Sequence, residues 1–296
     1  MRTKPWHGVL VANSCPFHSS LEVDFDRYGE HVKWLAESGC NGVTPNGSLG
    51  EYQVLTEKER AQVVRTAVEA APKGFAVIPG VAAYGALEAA RWAAQAAEAG
   101  AAAVMLLPPN AYRADERSVV QHYRQVAAVG LPVVAYNNPI DTKVDLVPTL
   151  LARLFAEGLI VAVKEFAGDP RRAYEIAEVA PGLDVLIGSD DTVVEVALGG
   201  AKGWVSGYTN ALPRSCVELY EASMAGEMDR AVKLYRDLHP LLRWDSKTEF
   251  VQAIKLSMDL VGRYGGPCRP PRVALTEAQE ATVRAATERA VSAGYA

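Results

Sequence analysis

Short runs of apolar, often β-branched residues alternate along this chain with longer stretches whose apolar positions recur at helical spacing. The runs are GVLVA (8–12), GVTP (42–45), FAVIPG (75–80), AAVMLLP (102–108), LPVVAYNNP (131–139), LIVAVKE (159–165), DVLIGSDD (184–191) and GWVSG (203–207). They are apolar at successive positions rather than at every second one, as in strands buried on both faces. Segments such as DFDRYGEHVKWLAESG and LTEKERAQVVRTAVEAA, which lie between them, read as helices. The second opens with Thr56 and carries Glu59 three residues later, a capping-box spacing. Strand and helix in strict alternation imply a parallel sheet, and eight such units predict a closed (β/α)8 TIM barrel.

From about Arg214 the pattern turns mostly helical. LPRSCVELYEASMAGEMDRAVKLYRDLHPLL holds two helical pieces around Gly226, and TEAQEATVRAATERAVSA is a further helix opened by Thr276. Pro267, Pro270 and Pro271 mark the loop before it. The expected organisation is a catalytic barrel over residues 1–224 with a C-terminal helical region over 225–296 packed on it.

Composition narrows the partners. The chain has 296 residues, 49% hydrophobic and 22% charged, with a net charge of -5. No basic cluster suggests nucleic acid. No stretch approaches the roughly 18 apolar residues of a membrane span. The alanine-rich segment from Ala86 is broken by Glu88, Arg91, Gln95 and Glu98 and reads as an amphipathic helix. The N-terminus lacks the apolar length of a signal peptide. Cys15, Cys40, Cys216 and Cys268 are scattered without metal-ligand spacing, so reduced thiols and a cytoplasmic setting are expected, with no metal.

In such a barrel the active site lies at the carboxyl ends of the strands. That rule selects Gly47, Ser48, Gly50 and Glu51 after the second strand, and Asn110 and Tyr112 after the fourth. It adds Tyr136, Asn137 and Asn138 at the fifth, Lys164 and Glu165 at the sixth, Ser189 to Asp191 after the seventh, and Ser206 and Tyr208 at the eighth. Lys164 is the unusual one, a cation placed directly after the core run Leu159–Val163. A free lysine has a pKa of ~10.4, leaving only about 0.04% neutral amine at pH 7. Burial disfavours the charged form and makes a nucleophile that attacks carbonyls. Condensation with a 2-oxo acid gives a protonated imine, an electron sink for the neighbouring carbon. Tyr136, ending the adjacent strand, suits proton transfer. The turn NGSLGE offers backbone N–H groups and the Ser48 hydroxyl to the substrate carboxylate.

Plainer readings stand beside these. Lys164 could form a structural ion pair, and Tyr136 could be a packing residue. Gly50 could simply supply a positive φ to its loop. Asp190 and Asp191 could cap the following helix. The five histidines are solitary and receive no role.

Together, CPF (15–17), GSLGEYQVLTEKER, YNNP, VAVKEFAGD, GSDD, GGAKGWVSGYTNALP and CRPPRVALTE resemble, in order and over nearly the whole chain, the dihydrodipicolinate synthase and N-acetylneuraminate lyase superfamily. The resemblance implies a class I, Schiff-base lyase without metal or organic cofactor, usually a homotetramer built as a dimer of dimers. It implies Lys164 as the Schiff-base lysine and Tyr136 as the proton-transfer residue. Ser48 and the backbone of Leu49 would bind the 2-oxo acid carboxylate, with Gly188 and Val205 lining the pocket.

There are departures from the synthase branch. Its turn usually has two threonines, where this chain has Ser48 and Leu49. Its arginine for the second substrate's carboxylate falls at Asp141. The tyrosine it lends across the dimer interface falls at Asn110, with Tyr112 nearby, and Phe166 replaces a smaller residue. GSLGE, YRADE, YNNP and KEFAGDPRR look more like a catabolic branch that includes 1-pyrroline-4-hydroxy-2-carboxylate deaminase and the 4-hydroxy-2-oxoglutarate and sugar-acid aldolases. The expected function is therefore a lysine Schiff-base lyase, a catabolic aldolase, dehydratase or deaminase, acting on a small 2-oxo or cyclic imino acid. A 4-hydroxy-tetrahydrodipicolinate synthase and a non-catalytic carboxylate-binding barrel are the alternatives.

Overall fold

The computed structural model describes residues 4–110 and 112–296. Eight strands form one sheet: β1 Gly8–Val11, β2 Gly42–Val43, β3 Ala76–Val77, β4 Val104–Leu106, β5 Val133–Asn137, β6 Ala162–Glu165, β7 Asp184–Ile187 and β8 Gly203–Ser206. Each falls inside one of the eight apolar runs. The order is β3-β2-β1-β8-β7-β6-β5-β4, with every pairing parallel. The remaining gap, between β3 and β4, is closed just beyond the strand ends. Met105 N–H donates to Pro79 O at 2.9 Å, and Val81 N–H donates to Met105 O at 2.9 Å. The barrel is thus complete, without a free edge.

The pleat sorts the apolar runs into two layers. Leu10, Met105, Val134, Ala162, Leu186 and Val205 point inward with Trp6 and fill the barrel. Val9, Val11, Val104, Val133, Val163 and Trp204 point outward into a second layer beneath the helices. This double burial is why the runs carry no polar alternation. Trp6 closes the amino-terminal end, where its indole N–H donates to Asp184 Oδ2 at 2.7 Å. Catalytic side chains can therefore reach open space only at the opposite mouth.

The helix Glu57–Ala70 is opened by the expected Thr56–Glu59 capping box, and Glu277–Ser292 by an equivalent one between Thr276 and Gln279. The two pieces around Gly226 are the helices Pro213–Ala225 and Met228–Leu242, the first ended by Gly226 at φ 74°. Helices Phe250–Leu260 and Glu277–Ser292 complete the C-terminal region. Its residues Leu238, Val251, Ile254 and Val283 belong to the same apolar cluster as the barrel's outer layer. The boundary near residue 225 is therefore topological, and the core is continuous across it.

Two buried imidazoles give the fold a pH signature. Burial lowers His31 and His122 from 6.5 to about 4, despite an acceptor for each, Asn210 Oδ1 and Leu107 O. The unfolded chain binds these protons at higher pH than the folded one. Their contribution to stability is complete above pH 6.5 and is lost as pH falls toward 4. Glu165, pushed up by burial to about 7, acts in the opposite direction over the same window. The imidazole share is therefore read by difference: between pH 6.5 and 5 the melting temperature of a His122→Gln variant should fall less, or rise more, than that of the wild-type protein. Parallel profiles would contradict this.

Candidate active site

Strand parity builds the site. On β6, Ala162 faces the barrel interior, so Lys164 two residues on faces the same way, while Val163 and Glu165 face outward. On β5, Val134 and Tyr136 share the inward parity. The register then pairs Tyr136 directly with Lys164. Lys164 Nζ sits 4.2 Å from the centroid of the Tyr136 ring and 5.6 Å from that of Phe166.

Lys164 is 7% exposed. Among the described residues its amine makes neither a hydrogen bond nor an ion pair. The structural ion pair considered for it is therefore absent. Burial lowers its pKa, opposed by the charges of Asp245 and Asp190. Tyr136 moves the other way. Burial pushes the phenol up, the nearby Asp245 charge adds to this, and a 3.3 Å hydrogen bond from Asn138 Nδ2 offsets little of it. The pair thus combines an amine favoured as a nucleophile with a hydroxyl that keeps its proton. That combination suits imine formation, in which the amine attacks and a donor protonates the departing oxygen.

Both lie at the base of a cavity of about 350 Å³. Ser48, Leu49, Asn110, Asp141 and Val205 line the same cavity, as do Thr44, Asn138 and Asp245. The turn after β2 approaches from one side. Among the described residues the N–H groups of Ser48 and Leu49 donate to no backbone acceptor, so they are free for an anion. Asn46 at φ 55° and Glu51 at φ 53° supply the left-handed conformations of this turn, rather than Gly50. Gly50 is constrained by space instead: a Cβ there would lie 3.2 Å from Asn13 O. Gly80 lets β3 run close beneath the turn, since its Cβ would lie 2.4 Å from Asn46 O. Asp141 faces the cavity and accepts from Asn138 Nδ2 at 2.8 Å.

Other strand-end candidates lie elsewhere. Tyr112 is 59% exposed and borders a separate groove with Tyr84 and Arg117. Gly188 does not line the cavity; its Cα packs on β6, and a Cβ there would lie 2.2 Å from Glu165 O. Glu165 and Asn137 face outward and bond to each other, with Asn137 Nδ2 3.0 Å from Glu165 Oε2. Burial pushes Glu165 up to about 7 despite that donor. Asp190 does not cap the following helix. It latches the end of β8, accepting from Trp204 Nε1 at 2.9 Å, Gly207 N–H at 3.1 Å and Tyr208 N–H at 2.8 Å. Asp191 accepts from the Ser246 hydroxyl at 2.9 Å. The strand-end rule did not select Asp245, because it comes from the segment between the helices Met228–Leu242 and Phe250–Leu260. Among the described residues no group of three His, Cys, Asp or Glu side chains could hold a metal ion, and no helix is long and apolar enough to cross a membrane.

A closed eight-stranded barrel with a buried amine at its mouth and a phenol in register beside it defines the class I lyases, which work through a lysine Schiff base. The chain belongs to the dihydrodipicolinate synthetase family, whose model matches residues 5–290. It is 33% identical over 282 residues to a 4-hydroxy-tetrahydrodipicolinate synthase from Methanothrix thermoacetophila, a match covering 94% of this chain and 95% of that one. Among solved structures it resembles dihydrodipicolinate synthase from Aquifex aeolicus, with a TM-score of 0.92 and 27% identity over 98% of this chain and 99% of that one. It also resembles a prophage protein of the dihydrodipicolinic acid synthase family from E. coli K12 in complex with pyruvate, with a TM-score of 0.89 and 25% identity over 96% and 98% of the two chains.

Proposed function

We propose that Lys164 forms the imine with a small 2-oxo or cyclic imino acid, and that the enzyme breaks such compounds down. Tyr136 donates the proton that lets water depart as the imine forms. Ser48 and the N–H groups of Ser48 and Leu49 hold the substrate carboxylate. The pyruvate complex of the E. coli relative supports this class of ligand.

One observation favours breakdown over synthesis. Asp141 lines the cavity at the place where the synthase branch carries an arginine for a second carboxylate. An aspartate there repels that group, while it accepts well from hydroxyl or amine donors. The reading therefore covers a dehydratase or aldolase for hydroxylated 2-oxo acids, and a deaminase for 1-pyrroline-4-hydroxy-2-carboxylate. A cytoplasmic homotetramer accompanies it. Exposed Tyr84 and Tyr112, which line one groove, support the subunit contact.

The second reading is 4-hydroxy-tetrahydrodipicolinate synthase, the name carried by the relative from Methanothrix thermoacetophila. Parallel assays separate the two. Pyruvate with aspartate semialdehyde should give negligible condensation. A panel of 4-hydroxy-2-oxo acids and the cyclic imino acid should give water, ammonia or pyruvate release. Efficient condensation with no turnover on the panel would reverse the order of the readings.

A further inference from the structure

The residue that the strand-end rule misses carries the furthest inference. Among the described residues Asp245 is the one carboxylate that the C-terminal helical region contributes to the cavity of the barrel. It is half-buried in the cavity wall, reachable from inside and crowded by protein on its other sides. It seats against the end of β8, where a Cβ on Gly207 would lie 2.3 Å from Asp245 Oδ1. Among the described residues no side chain bonds or pairs with its carboxylate, and the backbone N–H of Asp190 is the one protein donor near it. Asp190 behind it is the opposite case, with both oxygens committed to Trp204, Gly207 and Tyr208. Of the two acids whose charges act on Lys164, one is therefore structural and the other is free to meet a substrate.

We propose that Asp245 is the acid–base residue of an elimination, which takes a proton from C3 and expels the C4 hydroxyl of a 2-oxo acid held as an imine on Lys164. The proposal rests on the Schiff-base reading above and adds the bond that breaks. Removal of the C3 proton by the Asp245 carboxylate turns the iminium into an enamine. The nitrogen lone pair then re-forms the C2–N double bond, the C2–C3 π pair becomes the C3–C4 double bond, and the C4–O bond breaks. The proton on Asp245 passes to the departing oxygen, which leaves as water. The carboxylate is thereby restored, and hydrolysis of the imine frees Lys164 and an unsaturated 2-oxo acid. No oxidant, reductant or further reactant is required.

Neighbouring groups fit this assignment. Tyr136 is engaged in imine formation and, once its proton is restored, is a neutral phenol held protonated by burial, so the carboxylate that shares its cavity is the group with a lone pair ready for the C3 proton. Burial pushes Asp245 up to about 6, with Lys164 opposing, which suits a group that both takes and returns a proton near neutrality. The ionisable groups around it are Lys164, Tyr136, Asp190 and Asp191 from the barrel, with Lys247 and Arg272 at the cavity mouth. Of these, Lys164 and the Asp190 N–H favour the Asp245 carboxylate and Asp191 opposes it; Asp141 lies in the same cavity.

The test uses the full-length enzyme with Asp245→Asn and Asp245→Glu. Pyruvate and borohydride should still trap an adduct on Lys164 in D245N, which also shows that the variant folds. Exchange of the pyruvate C3 hydrogens with deuterated water should be lost. Formation of the conjugated acid from 4-hydroxy-2-oxopentanoate, followed by ultraviolet absorbance, should fall roughly 10²–10⁴-fold in kcat with little change in KM. D245E should recover part of the rate, and the limb of the kcat profile near pH 6 should vanish in D245N. Wild-type dehydration by D245N overturns the proposal. Loss of the adduct in D245N also overturns it, because Asp245 would then act only through the amine. A wild-type enzyme that forms the adduct but never loses water from the probe overturns it while leaving the Schiff-base reading standing. No adduct in the wild type removes that reading, and this proposal with it.

Discussion

Lys164→Ala should abolish turnover and leave the fold intact or slightly more stable. Loss of a covalent nucleophile is felt on the order of 10⁴-fold or more in kcat. The stability half of the result is the sharper test. An amine buried without a contacting counter-ion is a cost to the folded state, because desolvation disfavours its charged form and the charges of Asp245 and Asp190, neither within ion-pair contact, offset only part of it. Replacing it by alanine removes that cost and leaves a cavity that is already open to solvent. A structural lysine behaves in the opposite way, since deleting one partner of a buried ion pair costs about 3–5 kcal/mol. Thermal melts and borohydride trapping with pyruvate, run on the same protein, therefore separate the two roles. Tyr136→Phe should keep the adduct but form it slowly, with a loss of roughly 10²–10⁴-fold. A melting temperature that drops sharply in Lys164→Ala, with turnover retained, would return Lys164 to a packing role.

The fold was legible because its strands are buried on two faces and its helices on one. Runs such as LIVAVKE and LPVVAYNNP, too short to span a membrane as a helix and bounded by turn residues, read as strands buried on both faces. The site was legible as a set of strand ends but not as a set of directions. Lys164 and Glu165 are neighbours of equal polarity, and only the inward parity of Ala162 separates them. The same parity puts Tyr136 into the cavity and Asn137 outside it. Backbone conformation in the turn after β2 was obscured by its glycines. They suggest a positive φ at Gly50, yet close packing on Asn13 fixes that residue, and Asn46 and Glu51 take the left-handed positions. Asp190 looked like a helix cap because its bonds to the end of β8 join segments 14 to 18 residues apart. Asp245 left no local trace, since a helical appendage carries it over the barrel mouth.

Lys255→Met should be among the most destabilising single substitutions in the chain, although Lys255 lies far from any chemistry in sequence. Its side chain is 2% exposed and Glu51 is 1% exposed, and Lys255 Nζ meets Glu51 Oε1 at 2.7 Å. The amine also donates to Pro267 O at 2.8 Å and lies 4.7 Å from the centroid of the Phe17 ring. Glu51 uses its other oxygen to accept from Arg269 N–H at 3.0 Å. Removing the lysine leaves a buried carboxylate with one remaining donor, at a cost of about 3–5 kcal/mol. For a chain of this size that corresponds to a fall in melting temperature of roughly 5–15 °C. The double variant Glu51→Leu, Lys255→Met should regain most of it, because a packed apolar pair carries no desolvation cost. Activity should not return with stability. Glu51 ends the turn that presents Ser48 and Leu49, so the rescued fold should bind the 2-oxo acid carboxylate less tightly and show a raised KM. A Lys255→Met protein that melts like the wild type would show that this ion pair does not hold the turn. The chain thus buries two lysines to opposite ends, one paired so that a turn stays in place, the other unpaired so that its nitrogen can react.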